Sequence, residues 1–322
     1  MPEIGDVIGG RYRVLARLGA GGMGEVWAAE DAETGAPVAV KMLNPAFAAM
    51  ARPRMRFLRE AGVARAVSHP GIAQVFDVGE HDGAVFVAFE RLHGASLATV
   101  LRAETRLPLR TFVALMVRLA EVLVETHRAG IVHRDLKPGN LFIHRSVSSD
   151  ELELKLIDFG VSKLATAVDG LHTQTGSFLG SPRYVSPEHV VAPASVDARS
   201  DLWATGVILF EGTTGGYPHR APDPARALLA IVHQPPIAID SVRPDLSPGL
   251  RSIIRDCLKP KLSRLGSAVE LRDRLVDVLR AEDPSLDQTL PPREPERGVS
   301  EMTDSLIPET VESLTGARAF SV

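Results

Sequence analysis

The feature that most constrains this chain is a change of periodicity at Gly94. Before it, apolar residues alternate in short runs separated by turn residues; after it, they recur at helical spacing. Arg11 to Leu18 alternates, Glu25 to Asp31 follows a glycine cluster, and Ala36 to Leu43 closes at Asn44-Pro45. Thr34-Gly35 supplies the turn between the second and third of these runs. Ile72 to Val78 and Ala84 to Phe89 read as two further strands around a turn at Gly79 to Gly83. One helix interrupts them, Arg52 to Val67, with Phe57, Ala61 and Ala64 at helical spacing and Ser68-His69-Pro70 as its stop.

Beyond Gly94, Leu109 to Arg128 carries Phe112, Leu115, Met116, Leu119 and Leu123 on one face and stops at Ala129-Gly130. Short strands near 141–144 and 152–157 flank a Ser-rich turn, and further helices are expected near 199–215, 222–233, 247–258 and 267–281. No repeat at a solenoid period is present. The fold class is therefore α+β: a small β-rich lobe over 11–89, a connector at 90–94 and a larger helical lobe over 95–280. Residues 281–322, dominated by Pro, Ser, Thr and Glu, read as a flexible tail.

Composition narrows the function. A net charge of −4 argues against a general nucleic-acid binder. The tail holds nine acidic residues against three arginines, −6 of that −4 total, which leaves about +2 on the rest. Cys257 is the only cysteine, so the sequence has no intramolecular disulfide or cysteine-based metal cluster, and a reducing, cytoplasmic setting is expected. Met1-Pro2-Glu3 does not begin a signal peptide, and the most apolar run, Leu202 to Phe210, is far short of the roughly 20 residues that span a bilayer. A soluble chain is the expectation. Lysine is scarce, confined to Lys41, Lys137, Lys155, Lys163, Lys259 and Lys261, so each one is a position to explain. Plentiful arginine and alanine suggest a GC-rich bacterial genome.

Five segments carry candidate chemistry. Gly19-Ala20-Gly21-Gly22-Met23-Gly24 lies between two expected strands, where glycines let backbone N–H groups approach an anion. Alone, it is as readily a tight hairpin. A dinucleotide fingerprint needs a helix after the last glycine, and a P-loop needs Lys-Ser/Thr; here Glu25-Val26-Trp27 continues as strand, so neither fits. Lys41, ending Val38-Ala39-Val40-Lys41, would point from one strand face into the space beneath that loop, where an ammonium could hold phosphates. The alternative is an exposed strand-end lysine. Glu60, mid-helix, is placed to pair with Lys41, although a solvated helix charge has the same signature. Asp158-Phe159-Gly160 follows the strand Leu154 to Ile157, a position that suits a hard cation such as Mg2+ or a simple turn. The run His133-Arg134-Asp135-Leu136-Lys137-Pro138-Gly139-Asn140 is harder to read as a plain loop. Within eight residues Asp135 could accept a hydroxyl proton, Lys137 could neutralise a transferring phosphoryl and Asn140 could bind metal.

The glycine loop, Ala39-Val40-Lys41, Glu60, the run 133–140, Asp158-Phe159-Gly160 and Ser186-Pro187-Glu188 occur in that order. In this the chain resembles the eukaryotic-type (Hanks-type) Ser/Thr protein kinases of bacteria, over residues 11–280. The resemblance implies a bilobal kinase fold and an enzyme that uses ATP and Mg2+ to phosphorylate Ser/Thr hydroxyls of protein substrates. It implies that Leu18, Gly19, Ala20, Gly21, Gly22, Met23 and Gly24 cover the ATP phosphates, while Lys41, paired with Glu60, contacts them. Adenine would lie between Val26 and Ala39 above and Phe142 below, with backbone hydrogen bonds from Glu90 and Leu92 and with Phe89 closing the rear. Asp135 would orient and deprotonate the acceptor hydroxyl, Lys137 would mark a Ser/Thr acceptor, and Asn140 and Asp158 would hold Mg2+.

The same resemblance gives supporting roles. Asp201 would brace the catalytic loop, and Glu188 would pair with Arg264; Pro260-Lys261-Leu262-Ser263 departs from the usual acidic turn, so a surface arginine is the alternative there. Arg134 would pair with a phosphorylated residue between 161 and 187, with Thr173 and Thr175 as candidates and Ser177 behind them. Trans-autophosphorylation at those sites would require a transient homodimer. Ser181 matches a substrate-facing threonine, and Ser186 stands where alanine is usual. Two other functions share this fold: a non-catalytic scaffold, against which Lys41, Asp135, Asn140 and Asp158 all speak, and a small-molecule phosphotransferase, against which Ser186-Pro187-Glu188 and the long activation segment speak. The tail is either a solvated linker or a regulatory segment with Thr289, Thr303, Thr310 or Thr315 as phosphorylation sites.

Overall fold

The computed structural model describes residues 2–21, 24–103, 107–145, 152–159 and 182–281, together with Leu286, Gln288 and Leu290. Gly22, Met23, Thr173, Thr175, Ser177, Ser181, Thr289 and the tail past Leu290 lie outside the described residues.

The first lobe is a six-stranded antiparallel sheet: β1 (Val7–Ile8), β2 (Tyr12–Gly21), β3 (Gly24–Asp31), β4 (Pro37–Leu43), β5 (Val75–His81) and β6 (Ala84–Glu90), in the order β1-β2-β3-β4-β6-β5. Strand alternation splits it into two faces. Val38, Val40 and Met42 of β4 join Tyr12, Trp27, Phe86 and Ala88 on one. Leu43, Val85 and Val87 turn to the other, where Phe57 and Ala61 of the helix Ala51–Ala66 cover them. Period 2 therefore puts Ala39 and Lys41 on the face shared with Leu43, beside that helix. Burying a side chain of the size of Phe57 or Val87 is worth roughly 1.5–3 kcal/mol, which fixes the helix against the sheet. Expected and observed strands agree to within about three residues, except that Ile72 lies outside β5 and forms a parallel bridge to Leu156 instead.

The second lobe is helical, with a small sheet at its top. Strands β7 (Gly94–Ser96), β8 (Leu141–Arg145) and β9 (Leu152–Leu156) lie in that order. Gly94 is obligatory: its φ is 134°, and a Cβ there would sit 2.1 Å from the Ile143 carbonyl oxygen. Its helices are Leu97–Arg102, Leu109–Arg128, Pro187–Val191, Arg199–Thr214, Pro224–His233, Ile239–Val242, Pro248–Cys257 and Ala268–Arg280. Local chemistry sets where several begin. Ser96, Asp223, Ser247 and Ser267 each accept a hydrogen bond from a backbone N–H of the first turn, and Pro224 and Pro248 occupy the first helical position. The apolar run Leu202 to Phe210 lies inside Arg199–Thr214, which is buried on all sides and forms the axis of the lobe. No described helix is long and apolar enough to cross a membrane.

Packing does not stop at residue 280, where the tail was expected to begin. Leu286 and Leu290 are buried, Leu290 N–H donates to Leu107 O (2.9 Å), and Leu109 N–H donates to Gln288 O (2.8 Å). Arg243 also donates to the Gln288 side chain at 2.7 Å. Two leucines four residues apart bury enough apolar surface to hold this stretch on the start of the helix Leu109–Arg128. Leu286 and Leu290 therefore belong to the core of the helical lobe.

Candidate active site

Glycine loop and sheet converge first. Strands β2 and β3 form a hairpin with Gly19 opposite Val26, Ala20 opposite Glu25 and Gly21 opposite Gly24. At Gly24 the residue type is demanded by packing as well, since a Cβ would meet the Met42 carbonyl oxygen at 1.9 Å. Cross-strand pairing then lines Val26 with Lys41 and Val87, and Ala39 with Phe89, on the cleft side of the sheet. Leu18, Val26 and Ala39 are half-buried and Phe142 on β8 is buried.

Lys41 links the lobes. Its ammonium donates to Asp158 Oδ1 at 2.7 Å, across 117 positions of sequence. Burial works against the charge on Lys41, but Asp158 and then Glu60 more than offset it, so its pKa is raised above the ordinary lysine value. Glu60 was expected to pair with Lys41; it acts on the lysine electrostatically, while the hydrogen bond of the ammonium goes to Asp158. The expectation that Lys41 is an exposed strand-end charge fails.

The run 133–140 is held from below. Asp201, only 1% exposed, accepts from His133 N (2.9 Å), from Arg134 N (2.9 Å) and from the His127 ring (2.8 Å). Burial opposes ionisation of Asp201, but His127, His133 and the Arg134 N–H together outweigh it and the carboxyl stays below its usual range. Those two backbone bonds hold Arg134 at φ 66°, a left-handed conformation that costs a non-glycine residue about 1–2 kcal/mol. His133 is fully buried against Phe159, ring centroids 5.3 Å apart, and burial depresses its pKa and keeps it neutral.

Above this platform sit the reactive groups. Lys137 Nζ is 3.6 Å from Asp135 Oδ2, and both side chains keep some exposure. Asn140 donates from Nδ2 to Asp135 O (2.9 Å), which leaves its Oδ1 as an acceptor, and its carbonyl accepts from Ile157 N (3.1 Å) just before Asp158. Asn140 Oδ1 and the Asp158 carboxylate are hard oxygen donors, a set suited to a divalent ion that takes its other ligands from phosphate and water. No group of three or more His, Cys, Asp or Glu side chains among the described residues could hold a metal alone. Arg134 has no side-chain hydrogen bond or ion pair among the described residues, and burial depresses its pKa.

In the connector, the Glu90 N–H already donates to Gln74 O (2.9 Å), so what Glu90 can offer a ligand is its carbonyl. Leu92 makes no backbone hydrogen bond among the described residues, which leaves both its groups open. Arg264 is 4% exposed and bonds Glu188 Oε1 (2.6 Å) and Oε2 (3.0 Å), so the buried pair forms and the surface-arginine alternative fails. Sequence reasoning missed His127, whose only signal is a polar residue near the buried end of an apolar helix. It also left Lys155 unassigned; this lysine bonds both Glu90 carboxylate oxygens.

Residues 12–274 match the family model described as protein kinase domain. The chain is 39% identical over 274 residues to Serine/threonine-protein kinase pkn2 of Myxococcus xanthus, covering 84% of this chain and 32% of that one. It is 32% identical over 297 residues to Serine/threonine-protein kinase PknA of Mycobacterium tuberculosis, covering 90% and 66%. The chain thus spans between a third and two thirds of the length of these relatives. Among solved structures it resembles the Mycobacterium tuberculosis PknI kinase domain, with a TM-score of 0.66 and 28% identity over 86% of this chain and all of that one.

Proposed function

This chain belongs to the protein kinase family, and on that premise we propose that it is a working serine/threonine kinase that phosphorylates proteins and its own activation segment. Use of ATP and a divalent ion is common to the family; Mg2+ is the ion proposed here, held by Asn140 and Asp158. When bound, that ion would neutralise charge on the phosphates. The chain's own residues do the rest. Glycine-loop N–H groups and Lys41 bind phosphate oxygens, and the connector at Glu90 and Leu92 with Phe142 below holds the base. Asp135 takes the acceptor hydroxyl's proton, and Lys137, within reach of Asp135, steadies the phosphoryl group during transfer.

The single observation that carries this reading is the 2.7 Å bond from Lys41 to Asp158. It closes the two lobes around one polar cleft, next to a catalytic loop that Asp201 holds in a strained backbone. Such strain persists where surrounding structure enforces it for function. Arg134, whose side chain has no partner among the described residues, supports regulation by phosphate on Thr173 or Thr175, and transfer between two copies would place it there. A cytoplasmic setting fits the lone thiol, Cys257, which is buried with its pKa pushed up to about 12 and so is inert. Incubation with labelled ATP and Mg2+ tests the function: label should appear on the chain and on a generic basic protein, and no transfer to either would sink it.

A further inference from the structure

Among the described lysines of this arginine-rich sequence, Lys155 alone is buried without a role in the chemistry described above. It stands on β9, paired in register with Phe142, three residues before Asp158. Its side chain is only 10% exposed, and the ammonium donates to Glu90 Oε1 (3.0 Å) and Oε2 (3.2 Å), with Glu153 Oε2 further off at 3.8 Å. His69 is the other titratable group that feels this charge.

These contacts close a ring. Leu156 N donates to Gly71 O (2.8 Å) and Ala73 N to Leu156 O (2.9 Å), which sews residues 71–73 onto β9. The next residue, Gln74, grips Glu90 twice: its N–H donates to Glu90 Oε1 (3.1 Å) and its carbonyl accepts from Glu90 N (2.9 Å). Lys155 completes the circuit back to β9. The connector, the segment after the helix Ala51–Ala66, and the strand that delivers Asp158 are thereby joined at one carboxylate.

We propose that Lys155 is a positioning residue of the nucleotide site: by clamping Glu90 it fixes the connector's distance from Phe142 and so sets the affinity for the adenine base. The proposal rests on the reading of this cleft as the ATP site. Removing the ammonium strands a half-buried carboxylate, which the connector can relieve only by moving toward water. That movement shifts the base-binding backbone and leaves Asp135 and Lys137 where they are, so binding suffers and chemistry does not.

The test is steady-state kinetics of the full chain as wild type, Lys155→Met, Glu90→Gln and the double variant, with calorimetric binding of ADP·Mg2+ alongside. Lys155→Met should raise KM for ATP about tenfold with kcat within about twofold, the signature of lost ground-state binding. Glu90→Gln should raise KM similarly, and the double variant no further, because the two residues act as one unit. If Lys155→Met does not fold, the shape-preserving Glu90→Gln carries the test. An unchanged KM with a lowered Tm, a raised kcat at constant KM, or multiplying effects would each overturn the clamp. A wild type without phosphotransfer would overturn the kinase reading instead, while ADP binding would still report on Lys155.

Discussion

Two ion pairs among the described residues, one in the cleft and one in the helical lobe, are built to opposite specifications. Lys41–Asp158 makes one hydrogen bond at 2.7 Å, with side chains 26% and 39% exposed. Arg264–Glu188 makes two, with side chains 0% and 8% exposed. Around the second pair four of the five N–H groups of Arg264 are engaged. Arg264 also donates to the carbonyls of Arg199 (2.9 Å) and Lys259 (3.1 Å) and stacks over Trp203, while Ser200 donates to Glu188 (2.8 Å). The cleft pair is open to water and to a ligand's charge, whereas the other is sealed from both. An incomplete, half-exposed pair is an invitation to bind; a buried one holds the helical lobe to its activation segment.

Mutation should pull the two apart. Asp135→Asn, beside the open pair, should cut turnover by about 10²–10⁴-fold, the usual worth of a general base. Thermal melting of the same variant should stay close to wild type. Arg264→Met, in the sealed pair, should do the reverse, costing about 3–5 kcal/mol of stability because Glu188 is left buried and unpaired. Chemical denaturation measures this directly. A variant set in which both changes unfold the protein equally would erase the distinction.

Acid sharpens the same contrast. Burial opposes the charge on Glu188, but Arg264 outweighs it and draws the carboxyl down from 4.5 to about 2. A depressed carboxyl pKa contributes stability that is present above the unfolded value and lost as pH falls through the folded one. Stability should therefore decline between about pH 4.5 and 2 by up to about 3 kcal/mol from this group, and Glu188→Gln should flatten that limb in denaturation curves taken across the range. A smaller effect begins at higher pH. Burial keeps His219 neutral, only partly offset by its bond to Gln234 O (3.1 Å). Below about pH 6.5 the unfolded chain takes up a proton that the folded one refuses, so stability falls by up to about 1.4 kcal/mol per pH unit. His219→Gln should remove only its share of that slope, leaving the parts due to His69 and His133, which burial also holds below the ordinary histidine value.

Much of this was legible in the sequence, and the gaps have physical causes. Period-2 alternation places Lys41 on the cleft face, because Val38, Val40 and Met42 must face the other way to be buried. Asp223-Pro224 and Ser247-Pro248 announce helix starts through chemistry that needs only a few residues. By contrast β1 and β7 are two and three residues long, and no periodicity can be read in so few. Leu286 and Leu290 were hidden in a stretch whose composition otherwise favours solvent. At the site, the reactive residues follow from motif spacing, whereas Asp158 as the close partner of Lys41 does not. His127 and Lys155 act through neighbours distant in sequence, and only the folded chain shows whom they touch.

The central claim, that the open cleft works as a Ser/Thr kinase site, is met most directly by a phosphosite map. Wild type and Asp135→Asn would each be incubated with ATP and Mg2+, digested and analysed by mass spectrometry. The account predicts phosphoserine and phosphothreonine in the wild type, concentrated between residues 161 and 187 at Thr173 or Thr175, and none in the variant. A wild type that stays unmodified, or a variant modified to the same extent, would contradict it.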